Sequence, residues 1–278
     1  MTKKHLYDSR LDSYKSFFDH EWFGKITDET QGTSLYQPVF DLSVAWRFTA
    51  NTHVMPWIMT DMVKHAIEMN VNTAEPFGKR FIGAARDKLV ERMRGSLRNM
   101  QRKQLQDELN LIYSEITAVY ATPELLAPDE MWQHLLRNQE FQFALAGSQR
   151  LCYGAIYYAY EDFLARCVGL ARGESDYRMP RRSQFQNDLT AAFGNALCDQ
   201  CWCDTEVSLA RAARHALVHN GCRVTDEFTA ALKKASRSLQ VCDDEIQIMA
   251  PDTTNLFQLL KDRVTQLIGA ARQHPNIK

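Results

Sequence analysis

Hydrophobic residues recur at helical spacing along most of the chain. The clearest run lies between residues 149 and 172, where apolar and aromatic side chains fall within about a third of a helical wheel. Its members are Tyr153, Ile156, Tyr157, Tyr160, Phe163, Leu164, Cys167 and Ala171. A longer run from Pro76 to about Tyr120 has the same spacing. Apart from a short strand or hairpin arm within residues 241–249, the pattern predicts an all-α protein.

Two prolines, Pro123 and Pro128, interrupt the helical pattern near the middle of the chain. A chain of 278 residues is long enough for two ordinary domains. We therefore predict an α-helical N-terminal region of unknown role over residues 1–125. A helical domain over residues 126–278 follows it.

The most informative stretch is the predicted helix from Val207 to His219. Arg214 falls inside its apolar stripe, which consists of Val207, Ala210, Ala213, Leu217 and Val218. A guanidinium that faces a core is costly unless it is paired or lines a cleft. His215 and His219 lie one turn apart at the edge of the stripe, near the helix C-terminus, where the helix dipole favours a protonated imidazole. Gly221 is suited to end the helix in a left-handed conformation.

Arg214 and His219, with four residues between them and Asn220-Gly221 behind them, resemble the signature of the HEPN superfamily. The resemblance extends from about residue 128 to the C-terminus. It implies a helical bundle of the HEPN type in the C-terminal half, with an additional α-helical region before it. Many members are metal-independent endoribonucleases that form homodimers, and others are non-catalytic partners. Toxin and antiviral-defence roles also occur in the family.

The resemblance assigns roles to individual residues. Arg214 and His219 would be catalytic, with His215 and Asn220 in support, and neither a metal nor a cofactor is required. The RNA would supply its own 2′-OH as nucleophile and would be left with a 2′,3′-cyclic phosphate. In the family a polar residue on an earlier helix faces the motif. Glu161, at the edge of the stripe of the 149–172 helix, is therefore the candidate partner of Arg214.

The spacing of the two motif residues leaves two classes of function open. Arg214 and His219 are five positions apart, about 140° around an ideal helix. They converge only through the length of arginine, a frayed last turn or a second subunit, which is a further reason to expect a homodimer. The alternative is a non-catalytic dimerisation or binding module in which Glu161 holds Arg214 for structural reasons.

A zinc site competes with this interpretation. Cys198 and Cys201, followed by His215 and His219, satisfy a generic zinc-finger spacing. Tetrahedral zinc takes two Cys and two His, and zinc ligation would remove His219 from proton transfer. A zinc finger has a hairpin before its histidine helix, whereas the residues before His215 are predicted to be helical. We therefore rank zinc below the HEPN interpretation, and a thiolate nucleophile at Cys203 or Cys222 below zinc.

Basic residues are concentrated in two places. Arg94, Arg98 and Arg102 are spaced four apart and share one face of the long predicted helix. They are candidates for contacts with RNA phosphates, although an ordinary solvated face explains them as well. Arg181 and Arg182 are a second candidate phosphate contact in a predicted loop.

Composition limits the remaining possibilities. The net charge is −1, so a nucleic-acid site must be a local patch. The seven cysteines and the lack of an apolar leader in the first residues favour reduced thiols in a cytoplasmic protein. No apolar run is long enough to span a membrane. The sequence contains no Walker A loop, GxGxxG or HExxH motif.

Overall fold

The computed structural model describes residues 9–93, 103, 107, 109–111 and 128–277. Most of these residues are helical, which confirms the all-α prediction; the HEPN type stays a prediction. In chain order the elements are a 3-10 helix at Leu11–Tyr14, α1 (His20–Thr30), α2 (Tyr36–Met93), α3 (Pro128–Leu135), α4 (Gln139–Arg172), α5 (Arg182–Phe193), α6 (Asn195–Cys198), a π-helix at Asp199–Cys203, α7 (Thr205–His219), α8 (Asp226–Leu232), β1 (Gln240–Cys242), β2 (Glu245–Gln247) and α9 (Ala250–Ala271).

The chain forms two compact units, one comprising residues 1–57 and 135–278 and the other residues 58–134. These bounds differ from the predicted division after residue 125. The first part of α2 packs on α4, where the buried Trp46 donates its indole Nε1–H to the carbonyl oxygen of Ile156 at 3.0 Å. Phe257 of α9 meets the same indole with ring centroids 5.1 Å apart. The N-terminal segment therefore belongs to the same core as α4 and α9.

Helix α2 continues through two prolines, although the hydrophobic run that starts at Pro76 was expected to be a separate helix. Pro56 and Pro76 both lie inside the helix Tyr36–Met93. Proline removes one backbone donor and strains the preceding turn, but it does not by itself forbid helix on both sides. Residues 24–40 are mostly helical as well, although they include Gly24, Gly32 and Pro38, residue types that are common in loops. Glycine and proline therefore do not mark the ends of helices reliably in this part of the chain.

The expected hairpin in residues 241–249 is present as a short antiparallel pair. Strand β1 pairs with β2 so that Val241 lies opposite Ile246. The connecting residues Asp243 and Asp244 both have positive φ, 50° and 63°. Two left-handed residues in a row are typical of a tight hairpin turn, and aspartate tolerates that conformation better than most residues.

Gly169 of α4 lies where the loop after the helix folds back. A Cβ at this position would come within 2.8 Å of both the Glu174 carbonyl oxygen and the Tyr177 Cβ. We expect Gly169→Ala to lower the free energy of unfolding by about 1–3 kcal/mol, because backbone and Cβ atoms cannot move aside as a flexible side chain can. A Cβ added at Gly154 of the same helix would meet no atom within 4 Å. Gly154→Ala should therefore raise stability by roughly 0.5–1 kcal/mol. Urea unfolding of the two variants measures both signs, and a loss in both would contradict this account.

Candidate functional site

Helix α7 carries the motif, and both of its ends are fixed by local interactions. Asp204 caps the start by accepting hydrogen bonds from the backbone N–H groups of Glu206 and Val207. The helix ends at His219, and Gly221 takes φ +58° as expected for a residue that closes a helix. The next residue, Cys222, donates its backbone N–H to the Ala216 carbonyl oxygen at 3.1 Å. These contacts define where the motif histidines stand.

Arg214 points from α7 towards α4. Its Nη1 lies 4.0 Å from Glu161 Oε2, and the two side chains are only 22% and 15% exposed. Its guanidinium carbon also lies 5.7 Å from the centre of the Tyr158 ring. The Nε of Arg214 is buried and has no hydrogen-bond partner among the described residues. The expected partnership with Glu161 is therefore present, as a long ion pair that leaves part of the guanidinium unsatisfied.

Burial raises the pKa of Glu161, and the nearby Arg214 and Arg211 guanidiniums oppose that rise. The carboxyl group lies among low-dielectric neighbours such as the fully buried Tyr157, whose pKa is raised by the same cause. The charge state of the Glu161 carboxyl therefore depends on the two nearby guanidiniums, those of Arg214 and Arg211. Loss of Arg214 would leave it buried without its nearest positive charge.

This raised pKa gives the Glu161 carboxyl a definite pH dependence. The folded protein holds the Glu161 proton more tightly than the unfolded chain does, so the stabilisation is complete below the unfolded value near 4.5 and is lost as pH rises through the folded value. We expect the stability difference between wild type and Glu161→Gln to shift against wild type between pH 4 and pH 7. Urea unfolding of both proteins at several pH values measures the difference. A difference that is constant, or that moves towards wild type with rising pH, would be inconsistent with a buried carboxyl.

The two motif histidines are on the surface at the end of α7. His215 and His219 are exposed, and their ring centroids are 4.9 Å apart. Asn220 is exposed too, and its backbone N–H donates to the Ala216 carbonyl oxygen. Within the described part of the chain, no hydrogen bond or ion pair joins His219 to Arg214 or to Glu161. A single chain therefore presents the imidazoles and the guanidinium as two neighbouring groups and not as one contact.

One arginine of this helix was not singled out in the sequence. Arg211 is only 8% exposed, and it donates to the Trp202 carbonyl oxygen and to Ser208 Oγ, each at 3.1 Å. Its guanidinium carbon lies 4.2 Å from the centre of the Trp202 ring. The signal was available, because Arg211 is three residues before Arg214 and positions three apart share a helix face. Val218, assigned to the apolar stripe, is instead 56% exposed.

The zinc alternative does not fit the geometry. Cys198 and Cys201 precede α7, whereas His215 and His219 are at its far end. At 1.5 Å of rise per residue, the ten steps from Thr205 to His215 span roughly 15 Å. Zinc needs all four ligand atoms within about 2.3 Å of the metal. No group of three or more potential ligands is found among the described residues.

The surroundings of Cys203 argue against a thiolate nucleophile at this position. Burial raises the pKa of the Cys203 thiol to about 11, and the Cys198 sulfur 4.0 Å away acts in the same direction. A thiol with such a pKa is protonated at neutral pH and is a poor nucleophile. Cys222 is half-buried just beyond the motif helix, with φ 68°.

The candidate phosphate contacts fall into two groups. Arg181 and Arg182 are both exposed at the start of α5, and Arg182 Nη1 lies 2.6 Å from Glu227 Oε1. The face formed by Arg94, Arg98 and Arg102 lies outside the described residues, so its use as a phosphate track stays a prediction.

An open cavity of about 710 Å³ borders the motif region on the side of α4. Tyr158 and Glu161 line it, together with Arg166 and Arg178. Its lining thus includes the carboxyl that contacts Arg214, but His219 is not part of it. The cavity extends from Glu161 towards the loop after α4, away from the motif histidines.

Two further observations bear on identity. Among the described residues, none of the helices combines the length and the apolar character that crossing a bilayer requires. Comparison of the chain with family models, with curated proteins and with solved structures gives no significant match. The resemblance to the HEPN superfamily therefore rests on the motif residues and on their helical setting.

Proposed function

We propose that this protein is a metal-independent endoribonuclease of the HEPN type that acts as a homodimer. The observation that carries the proposal is the end of α7. A guanidinium held at Glu161 and Tyr158 lies beside an exposed helix terminus with two imidazoles and an amide. Acid–base groups next to a fixed cation are what cleavage of a phosphodiester by transesterification requires.

The proposed reaction needs no metal, only the residues of the motif and water. The RNA 2′-oxygen attacks the adjacent phosphorus as His219 accepts the 2′-OH proton, and water protonates the leaving 5′-oxygen. In the other assignment water accepts the 2′-OH proton and His219 protonates the leaving 5′-oxygen. The P–O5′ bond breaks, which leaves a 2′,3′-cyclic phosphate on one fragment and a 5′-OH on the other. Arg214 stabilises the negative charge that develops on the phosphate oxygens. His215 and Asn220 stand where they can orient His219 or the phosphate.

A second copy brings the two catalytic groups together in this proposal. In one chain Arg214 turns towards α4 and His219 faces solvent. The same two helices expose large apolar side chains: Leu151 at 73%, Tyr158 at 59% and Val218 at 56%. Exposed apolar side chains around a polar cluster are typical of a surface that a partner covers. We place the His219 of one copy over the Arg214 of the other across a two-fold axis.

The Arg214–Glu161 contact also favours a second candidate, a non-catalytic dimerisation or binding module. In that case the ion pair holds α7 to α4, and the histidines are ordinary surface residues. Both candidates use the same exposed apolar surface, so dimerisation alone does not separate them. RNA cleavage does.

The discriminating experiment is an RNA cleavage assay with wild-type protein in EDTA. We expect a single-stranded RNA of mixed sequence to be cut, with 2′,3′-cyclic phosphate ends detected by ³¹P NMR. The same oligonucleotide with 2′-deoxyribose throughout should remain intact, because it lacks the nucleophile. Cleavage of the deoxy substrate, or cleavage that EDTA abolishes, would contradict the proposed chemistry. If folded protein cleaves no RNA, the non-catalytic dimerisation or binding module is the candidate that remains.

A further inference from the structure

A second cavity, of about 330 Å³, lies beside the first half of α7. It is bounded by the start of α7, the π-helix and α8. Its lining consists of Arg182, Gln186, Trp202, Cys203, Thr205, Ser208, Arg211, Glu227, Ala230, Ala231 and Lys234. The size is at the lower end of the range for small-molecule sites, which is roughly 300–1,000 Å³.

The charge of this cavity is unbalanced. Three cationic side chains line it, Arg182, Arg211 and Lys234, against the single carboxylate of Glu227. The Cys203 thiol adds no negative charge, because burial raises its pKa to about 11. A ligand with negative charge would restore the balance.

Arg211 is the strongest sign that an anion belongs here. It is more than nine-tenths buried, yet within the described residues its guanidinium meets only neutral acceptors, the Trp202 carbonyl oxygen and the Ser208 hydroxyl. Two buried donors beside the cavity, Arg211 Nε and Trp202 Nε1, have no acceptor there. Among the described residues no carboxylate forms an ion pair with Arg211, and the Glu161 carboxyl, which Arg211 affects from farther away, is paired with Arg214. Since a buried guanidinium is costly without an opposite charge, Arg211 at the cavity wall indicates an anion site.

Lys234 and Arg182 complete the cationic lining from the side of solvent. Lys234 is exposed, and its ammonium group forms no hydrogen bond or ion pair with described residues. Arg182 Nη1 lies 2.6 Å from Glu227 Oε1, so Glu227 neutralises one of the cations and also repels an incoming anion. Hydroxyls of Thr205 and Ser208 and the amide of Gln186 offer further polar contacts. Such a set suits the several oxygens of a phosphate group better than the two of a carboxylate.

We propose that this cavity, lined by Arg211, Lys234 and Arg182, binds a small molecule that carries a phosphate monoester. The doubly negative phosphate lies against the guanidinium edge of Arg211, and Lys234 closes over it. The remaining volume accommodates a short organic part. This site is separate from the motif histidines and does not depend on the ribonuclease activity.

Binding is tested by isothermal titration of the full chain with inorganic phosphate and with glycerol 3-phosphate, against glycerol and chloride at matched ionic strength. We expect both phosphates to bind and glycerol to give no signal. Lys234→Gln should weaken phosphate binding by about three- to tenfold, because one charge-assisted contact is lost. Lys233→Gln, which removes the adjacent exposed lysine outside the cavity, should leave the affinity unchanged.

Glu227→Gln provides a test with the opposite sign. It removes the one carboxylate of the lining and frees Arg182, so phosphate should bind more tightly than to wild type. Arg211→Ala is not the primary probe, since it also breaks the contacts with Trp202 and Ser208. The proposal is overturned if neither phosphate binds, if Lys233→Gln weakens binding as much as Lys234→Gln, or if Glu227→Gln has no effect. Each result is independent of RNA cleavage, which is measured separately on the same variants.

Discussion

Replacement of His219 by alanine should lower the rate of RNA cleavage by roughly 10²–10⁴-fold, because a positioned imidazole contributes about that much through proton transfer. Arg214→Lys should lower it by about 10²–10³-fold, since lysine keeps the charge but loses the guanidinium fork that stabilises the phosphate. Initial rates on a fluorescent RNA oligonucleotide in EDTA measure both effects.

Folding must be unchanged for these rates to report on chemistry. His219 is exposed, so His219→Ala should unfold at the same urea concentration as wild type. His20→Ala is a matched control, because His20 is an exposed histidine on α1 outside the motif helix. Full cleavage by His219→Ala, or an equal loss in His20→Ala, would rule out the proposed role of His219.

The second large effect concerns the fold that positions α7. Trp46→Ala should lower the free energy of unfolding by about 3–5 kcal/mol, as expected when a fully buried aromatic residue is truncated. The indole fills the space between α1, α4 and α9, where it contacts Phe23 and Phe257 and donates to the Ile156 carbonyl oxygen. Trp46→Phe keeps an aromatic ring but loses the hydrogen bond, and it should cost less. Urea unfolding monitored by circular dichroism measures both.

The neighbouring Arg47 is exposed, so Arg47→Ala should change stability by no more than about 0.5 kcal/mol. If Trp46→Ala unfolded only the N-terminal segment and left α4, α7 and α9 intact, the segment would be an independent region, as the division after residue 125 suggested. A single cooperative loss of all helices supports the shared core.

Local signals in the sequence predicted the motif helix well. The helix ends at His219, just before Asn220 and Gly221, and Gly221 has the left-handed conformation that its residue type indicated. Glu161 was the candidate partner of Arg214 because of the family resemblance, and its Oε2 lies 4.0 Å from Arg214 Nη1. The end of the helix depends on a few neighbouring residues, which is why the sequence reveals it.

Features that depend on distant residues were not predictable. The burial of Trp46 requires α4 and α9, which lie more than a hundred residues away along the chain. Helix α2 also continues through Pro56, although proline is common at the first position of a helix. The zinc spacing failed for the converse reason: Cys198 and Cys201 lie before the start of α7, whereas His215 and His219 lie towards its far end.

The most direct test of the composite site is subunit mixing. In our proposal each site takes Arg214 from one copy and His219 from the other, so Arg214→Ala and His219→Ala homodimers are both inactive. When equal amounts are unfolded together and refolded, about half of the dimers are mixed, and each holds one intact site out of two. We therefore predict that the mixture regains roughly a quarter of wild-type cleavage, whereas a mixture that stays as inactive as its two components would contradict the account.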